Sequence, residues 1–303
     1  MSTQLRITHN MMSSSMLANV QRVNAAMAKT SEQISSGLRI DSPSDDPVGT
    51  TRALVIKSQL SANAGYKAAA DATTGWTATT EGALSSIVDV VHSAHELLIQ
   101  AGNDTLQASD RAQMALQLEG LLEQVKATAN ARFGDQYVLS GQQSDVPPYQ
   151  SGSDDSYGGD SGAVTRTLGP DQSVQINVTG DAILGGTAGD GKLLDTLRTA
   201  IDHLNGGTTA DVEALRGSVL SSLETNLDTL LSARAQIAGA SVRATLASDR
   251  IDDINLTMTS QLSEIQDTDY AEAITRYTSQ QTIYQAALQS GAQVIQKSLM
   301  DFL

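Results

Sequence analysis

The sequence predicts a mainly α-helical protein with a small β-containing insertion, built as an elongated helical rod whose terminal helices pair as a coiled coil. Three observations predict this fold class. The five prolines leave three long stretches free of the strongest helix breaker. Fourteen of the 24 glycines fall between Gly134 and Gly207, which marks that region as turns and short strands. Elsewhere, apolar residues recur at alternating spacings of four and three.

Both chain ends carry such an apolar stripe. A period of 3.5 residues places the stripe along one side of a supercoiled helix, where it stays wet unless another helix covers it. We therefore expect the two ends to lie side by side, with the remaining apolar surface left for other subunits. The alternative is that both stripes are ordinary core of a helical bundle. The predicted assembly interface consists of Met16, Val20, Val23, Met27, Ile34, Leu38, Tyr270, Ile274, Tyr277, Tyr284, Leu288, Ile295, Leu299 and Phe302.

The first predicted helix covers about residues 8 to 36 and ends at Gly37, a residue suited to the left-handed conformation of a helix C-cap. Pro43 and Pro47 make the following segment a rigid connector, in which Ser and Asp can cap the next helix. A second helix is predicted from Val48 to about Ala101 and a third over about 109 to 130.

The insertion is predicted to contain three short strands and one helix. The strands cover 137–139, 163–168 and 173–178, the last with Val174, Ile176 and Val178 alternating with polar residues. The helix runs from Lys192 to Leu204. A flexible polar loop lies between the first two strands.

The longest periodic segment follows the insertion and reads as a coiled-coil seam. It predicts a helix whose natural partners are the helices near 84–101 and 109–130. Its positions are Leu223, Leu227, Leu230, Arg234, Ile237, Ser241, Ala244, Ser248, Ile251, Asn255, Met258, Leu262 and Ile265. Three domains are thus predicted: residues 1–44 with 267–303 as a terminal coiled-coil domain, 45–134 with 208–266 as a helical rod, and 135–207 as a β-rich exposed insertion.

Composition excludes several classes of function. A net charge of −15 argues against binding to nucleic acid or to anionic membrane surfaces, because both would repel the chain. The absence of cysteine excludes disulfides and thiol chemistry. No run approaches the ~18 apolar residues of a membrane span. The amino terminus lacks the apolar stretch of a cleaved secretory signal, which predicts a protein that is cytoplasmic or exported by another route.

Three features could carry chemistry, and each has a simpler interpretation. Gly186–Lys192 has the spacing of a phosphate-binding loop, but Leu193 replaces the Ser or Thr that would hold magnesium, so a glycine-rich turn is favoured. His92 and His95 can share a helix face, yet no further metal ligands are evident nearby. The acidic residues at 41–46 are interrupted by prolines, which favours a cap and hinge over calcium. We expect no enzyme activity, no metal and no cofactor.

Several motifs resemble those of the bacterial flagellin family. Glu32-Gln33-Ile34-Ser35-Ser36-Gly37-Leu38-Arg39-Ile40, followed by Pro43-Ser44-Asp45-Asp46-Pro47, is similar to the family's amino-terminal signature. Asp267-Thr268-Asp269-Tyr270-Ala271-Glu272 is similar to its carboxyl-terminal one. Tyr137-Val138-Leu139-Ser140-Gly141-Gln142 with Pro147-Pro148-Tyr149, and the ending Ser298-Leu299-Met300-Asp301-Phe302-Leu303, resemble the family's junction members rather than the filament protein.

The resemblance implies a structural subunit of the bacterial flagellum that joins the hook to the filament and is found outside the cell. It implies export in an unfolded state without a cleaved signal peptide, and terminal helices that are ordered only in the assembled structure. The implied partners are hook-associated protein 1, flagellin, copies of the chain itself and a flagellar export chaperone. The alternative within the family is a flagellin that forms the filament itself.

Overall fold

A computed structural model describes residues 9–103 and 105–300, with side chains over 11–103 and 105–292. The described chain is mainly α-helical with long terminal helices and two small sheets, which confirms the predicted fold class. Its helices are α1 (His9–Ser36), α2 (Pro47–Ala101), α3 (Ala108–Ala129), α4 (Gly180–Ile183), α5 (Leu193–Gly206), α6 (Thr209–Ala214), α7 (Leu220–Gln266) and α8 (Tyr270–Met300), with a π-helical turn at Leu215–Val219. Its strands are β1 (Arg132–Phe133), β2 (Gln136–Tyr137), β3 (Thr165–Gly169) and β4 (Gln172–Gln175).

The chain divides into two compact units. The terminal unit runs to Ser61 and resumes at Ile254, and the central unit is Ala62–Asp253. Among the described residues, no helix is long and apolar enough to cross a membrane.

One continuous apolar core holds the central unit together. It combines fully buried leucines from four helices and the buried side chains of the insertion. Examples are Leu84 and Leu98 of α2, Leu118 of α3, Leu197 of α5 and Leu230 of α7. The insertion therefore shares its core with the long helices. The three-domain division drawn from composition stays a prediction.

The seam of α7 agrees with the predicted one at every second position. Between these positions the fully buried residues are Asn226, Ala233, Ala240 and Ala247, each one residue before the predicted one. All thirteen predicted positions are buried or half-buried, including the polar ones. Within the central unit, ion pairs join α7 to α2: Arg234 with Glu81 and Lys67 with Asp252. His95 Nε2 of α2 also lies 3.7 Å from Glu224 Oε1 of α7. The long helix therefore owes its order mainly to tertiary packing of its apolar face, as expected for a helix with several polar seam positions.

The strands are shorter than predicted. β3 and β4 form an antiparallel hairpin in which Arg166 pairs with Val174, and β1 pairs with β2. The predicted strand over 173–178 ends early because Asn177 takes over the pairing, accepting a hydrogen bond from the Val164 amide at 2.8 Å. Val138 and Leu139 are fully buried in turns rather than in a strand, because they fill the core of the central unit.

A buried lysine fastens the insertion to α3. The Lys126 side chain is 1 % exposed, and its ammonium donates to the carbonyl oxygens of Gly152 at 2.6 Å and Asp154 at 3.0 Å. It also contacts the carboxylates of Asp155 at 3.0 Å and Glu123 at 3.2 Å. Every proton of the ammonium thus has an acceptor, which offsets the cost of burying the charge.

Candidate assembly site

The terminal helices α1 and α8 pair within the terminal unit. The half-buried or buried positions of α1 include Met16, Val20, Val23, Met27, Thr30 and Ile34, five of which belong to the predicted interface. On α8 the corresponding positions are Ala273, Tyr277, Gln280, Tyr284, Ala287 and Gly291. Both series keep the four-three spacing of a coiled-coil seam.

Small residues let the two helices approach closely near their free ends. A side chain at Gly291 would meet Met16 Cε at 3.1 Å, so the methionine packs directly on the glycine. A shallow apolar depression remains beside this contact, bounded by Leu17 and Val20 of α1 and by Ala287 and Leu288 of α8.

A short backbone pairing closes the other end of the helix pair. Leu38 forms an isolated antiparallel bridge with Asp267. The Thr268 amide donates to the Gly37 carbonyl at 2.9 Å, and the Arg39 amide donates to the Gln266 carbonyl at 2.6 Å. Gly37 adopts a φ of +73°, as predicted for a C-cap, and a side chain there would meet Tyr270 Oη at 2.8 Å. We name residues 37–40 and 265–268 the terminal clasp.

Of the fourteen predicted interface residues, eight are half-buried, three are exposed and three lie outside the described side chains. The six on the amino-terminal side, together with Tyr277 and Tyr284, are half-buried in the described chain. Tyr270, Ile274 and Leu288 are 52 %, 51 % and 49 % exposed. Ile295, Leu299 and Phe302 lie outside the residues whose side chains are described.

The seam of α8 differs from the predicted stripe at every second position. Ala273 and Ala287 take the places predicted for Ile274 and Leu288, and Gln280 lies between them in the seam. At ~100° per residue, Ile274 and Leu288 therefore lie on one flank of the seam and Ile283 lies on the other. Ile274, Ile283 and Leu288 thus lie beside the seam rather than in it.

Further exposed apolar residues of the terminal unit were not anticipated from the sequence. They are Leu17 at 61 %, Leu54 at 61 %, Leu256 at 74 % and Ile283 at 51 % exposed. Each falls outside a four-three stripe, so the periodicity could not identify it. Five residues of the described terminal unit are fully buried: Thr30, Ile40, Gly49, Ala53 and Ala273. The terminal unit therefore has far more apolar surface exposed than it has core.

The acidic connector caps helices rather than forming an ion site. Asp45 accepts a hydrogen bond from Lys29 Nζ at 2.6 Å and from the backbone amide of Ser42 at 3.1 Å. Asp46 accepts from the Gly49 amide at 2.9 Å, in the first turn of α2. The Lys29 bond and then the Ser42 amide lower the pKa of Asp45 to about 2.

We expect Lys29→Met to raise the pKa of Asp45 from about 2 toward its ordinary value of 3.8, because the largest stabilising bond is removed. The lowered pKa means that the contact stabilises the fold fully above about pH 4 and is lost as the pH falls toward 2. A carboxyl carbon titration followed by NMR measures the shift, with the exposed Lys57→Met as the matched control. An unshifted midpoint in the lysine variant would contradict the assignment.

The glycine-rich loop at 185–192 is filled by its own carboxylates. Asp190 accepts hydrogen bonds from the amides of Gly186 at 3.1 Å and Lys192 at 2.8 Å. Asp195 accepts from the amides of Gly189 at 2.7 Å and Gly191 at 3.0 Å. The Lys192 ammonium donates to the Asp181 carbonyl at 2.6 Å. The amides that would hold a phosphate are therefore occupied, which supports the interpretation as a structural turn.

The two histidines on α2 do not converge on a metal site. His92 is exposed, and His95 contacts Glu224. Within the described part of the chain, no group of three or more histidine, cysteine or acidic side chains is placed to hold an ion.

Comparison with known proteins places the chain in a family. Residues 7–144 match the bacterial flagellin N-terminal helical region, and residues 220–303 match the bacterial flagellin C-terminal helical region. The chain therefore belongs to the bacterial flagellin family of structural flagellar proteins.

Within that family, the full-length likeness is to flagellar hook-associated protein 3. The chain is 27 % identical to that protein of Salmonella typhimurium and 28 % identical to that of Escherichia coli, in each case over 93 % of this chain and 95 % of the relative. By contrast, a flagellar filament 41 kDa core protein of Borreliella burgdorferi is 31 % identical over 39 % of this chain and 36 % of its own length. The likeness to filament proteins is thus partial.

Solved structures share the fold. The hook-associated protein-3 of Legionella pneumophila has a TM-score of 0.62 at 17 % identity, covering 70 % of this chain and 98 % of that one. FlgL of Xanthomonas campestris has a TM-score of 0.61 at 16 % identity, covering 69 % and 99 %.

Proposed function

We propose that this chain is the structural subunit that joins the flagellar hook to the filament, and that the α1–α8 pair is the part through which it assembles. The full-length likeness to hook-associated protein 3 supports the junction role over that of a filament flagellin. Its relatives are structural flagellar proteins, so the role we propose is mechanical rather than enzymatic.

The observation that carries the assembly role is the incomplete burial of the terminal unit. Two paired helices bury one seam, and both flanks of α8 then present apolar side chains to solvent, with Ile274 and Ile283 each 51 % exposed. A pair with so little core is marginal alone, since most helix stability comes from tertiary packing. Copies that cover these flanks stabilise the pair by mass action.

The same exposed surface indicates how one copy contacts the next during assembly. The flanks of α8 and the exposed residues Leu54 and Leu256 differ in shape and sequence, so one copy meets the next through unlike surfaces. Unlike surfaces generate rings or open helices rather than closed dimers. We propose hook-associated protein 1 as the partner on the hook side and flagellin on the filament side, with an export chaperone covering the apolar flanks before assembly.

The test adds purified protein to isolated hooks that carry hook-associated protein 1, followed by flagellin. We expect a thin terminal zone of bound protein that does not lengthen with further protein, and filament growth from that zone when flagellin is supplied. Electron microscopy with a labelled chain measures both. Unlimited growth from this chain alone would instead favour a filament flagellin.

A further inference from the structure

The seam between the two ends of the chain places a large side chain on a glycine at both of its limits. At one limit Tyr270 lies over Gly37, where a side chain would meet Tyr270 Oη at 2.8 Å. At the other limit the order is reversed, and Met16 lies over Gly291. A side chain built at Gly291 would meet Met16 Cε at 3.1 Å and Sδ at 3.3 Å. Each segment therefore offers one glycine and one large side chain to the other.

The two contacts belong to one register. The contact positions are separated by three heptads on the α1 side and by three heptads on the α8 side. Steps of seven residues from one contact to the other give four facing pairs, which we name the size-matched row. They are Tyr270 with Gly37, Tyr277 with Thr30, Tyr284 with Val23, and Gly291 with Met16. All members except Tyr270 are buried or half-buried.

Gly291 requires a packing explanation, because it lies in the interior of a helix. It is the single glycine of α8. Glycine is the least favourable residue after proline inside a helix. Alanine would be the better helix former, but its Cβ would press on the side chain of Met16. The space that the methionine occupies therefore accounts for the glycine.

The second row of the seam does not distinguish registers one heptad apart. It faces medium to large apolar side chains of α1 with alanine or glutamine of α8, so a shift of seven residues brings similar pairs together. In the observed register these pairs are Val20 with Ala287, Met27 with Gln280, and Ile34 with Ala273. Discrimination between registers must therefore come from the size-matched row.

We propose that Gly291 and Met16 are the specificity-determining pair that sets the register of α1 against α8 near their free ends, while the terminal clasp holds the opposite end. A shift of one heptad in one direction would bring Tyr284 onto Met16, and both side chains are large. The opposite shift would place Gly291 against Val23 and leave a void. Overfilled and underfilled contacts both destabilise packing.

The register fixes the height at which the apolar flanks of α8 meet a neighbouring copy. This inference therefore rests on the assembly role proposed above for the α1–α8 pair. It adds the residues that decide the axial position of the contact.

Paired cysteines report the register, because the natural chain has no cysteine. Val20→Cys with Ala287→Cys should link in the observed register, whereas Met27→Cys with Ala287→Cys links only after a shift of one heptad. The readout is the ratio of the two disulfide-linking rates in dilute, monomeric, full-length protein, measured by peptide mass spectrometry. The same ratio in urea gives the reference for unpaired helices. We expect the ratio in buffer to be well above the urea value.

Gly291→Leu should lower this ratio at least about fivefold, because the leucine overfills the contact with Met16. Adding Met16→Ala should restore the ratio, since the side-chain volume is then moved from one helix to the other. The matched control is Ser290→Leu, which adds the same side chain at the neighbouring exposed position and should leave the ratio unchanged.

Four outcomes would overturn the assignment: a ratio in buffer equal to that in urea, no effect of Gly291→Leu, an equal fall with Ser290→Leu, or no rescue by Met16→Ala. The linking is intramolecular and needs no hooks, so these outcomes leave the junction role standing. A chain that links in the observed register but does not add to hooks would support the register pair and contradict the junction role.

Discussion

Removal of residues 270–303 should abolish assembly while leaving the central unit folded. None of the residues in the continuous apolar core belongs to α8, so the core of Ala62–Asp253 should keep its helical signal and its unfolding transition. The truncated protein loses one side of the seam and both apolar flanks of α8. We expect it to remain a monomer at concentrations where the full chain adds to hooks, measured by electron microscopy and sedimentation.

Point variants make the same test without a deletion. Replacing Ile274 and Leu288 with Gln removes the apolar side chains of one flank, while Thr275→Gln with Thr282→Gln changes exposed polar positions of the same helix. Burying one half-exposed Ile or Leu contributes about 1 kcal/mol, so the flank variant should need at least about tenfold more protein to assemble. Normal assembly of the flank variant, or unfolding of the central unit on truncation, would show that α8 is core and not a contact surface.

Lys126→Met should be among the most destabilising substitutions in the central unit. The methionine fills a similar volume but leaves the carbonyls of Gly152 and Asp154 without their donor and removes one cation from Asp155. Breaking a buried charged network by removing one partner costs about 3–5 kcal/mol. Denaturant unfolding of the wild type and the variant measures the loss in the free energy of unfolding.

The matched control is Lys57→Met, which removes an exposed lysine and should change the free energy of unfolding by about 0.5 kcal/mol or less. Asp155→Asn should lower the free energy of unfolding by an amount between those of the two lysine variants. The asparagine keeps an acceptor for Lys126 but weakens the hydrogen bond from Arg198 Nη2, which is 2.8 Å long. A Lys126 variant as stable as the control would mean that the loop at 150–156 is held to α3 by other contacts.

The sequence was sufficient for the long helices because their period repeats many times. In α7 the four-three spacing runs without a slip, and every second predicted position is fully buried in the structure. These positions are Leu223, Leu230, Ile237, Ala244 and Ile251. At Ser241 and Ser248 the prediction is one residue off, because the preceding Ala240 and Ala247 are the buried residues. On α1 the predicted residues from Met16 to Ile34 are half-buried.

The seam of α8 was harder to predict because two stripes compete. Ile274 and Leu288 are larger and more apolar than Ala273 and Ala287, so a rule based on hydrophobicity selects them. In the structure the smaller residues face α1, because close helix packing favours them and Gly291 accommodates Met16. The sequence carried no signal for which side other copies would cover.

Contacts between segments distant in sequence lay beyond the sequence analysis. Lys126 meets a loop about 26 residues away, and no local pattern marks it as buried. The pairing of Leu38 with Asp267 joins segments at opposite ends of the chain, and neither segment alternates as a strand would. The spacing of the glycine-rich loop matches that of a nucleotide site. Spacing alone does not reveal that Asp190 and Asp195 fill the loop.

The terminal clasp fixes the register in which helices α1 and α8 can pair. With Leu38 bridged to Asp267, the end of α1 is held beside the start of α8, so the helix pair is fastened at one end. A slip of one heptad would shift the helices by about 10 Å, and the bridge would have to break first. Tethering also gives each helix a high effective concentration of its partner from the same chain. Exchange with a terminal helix of a neighbouring copy is therefore disfavoured.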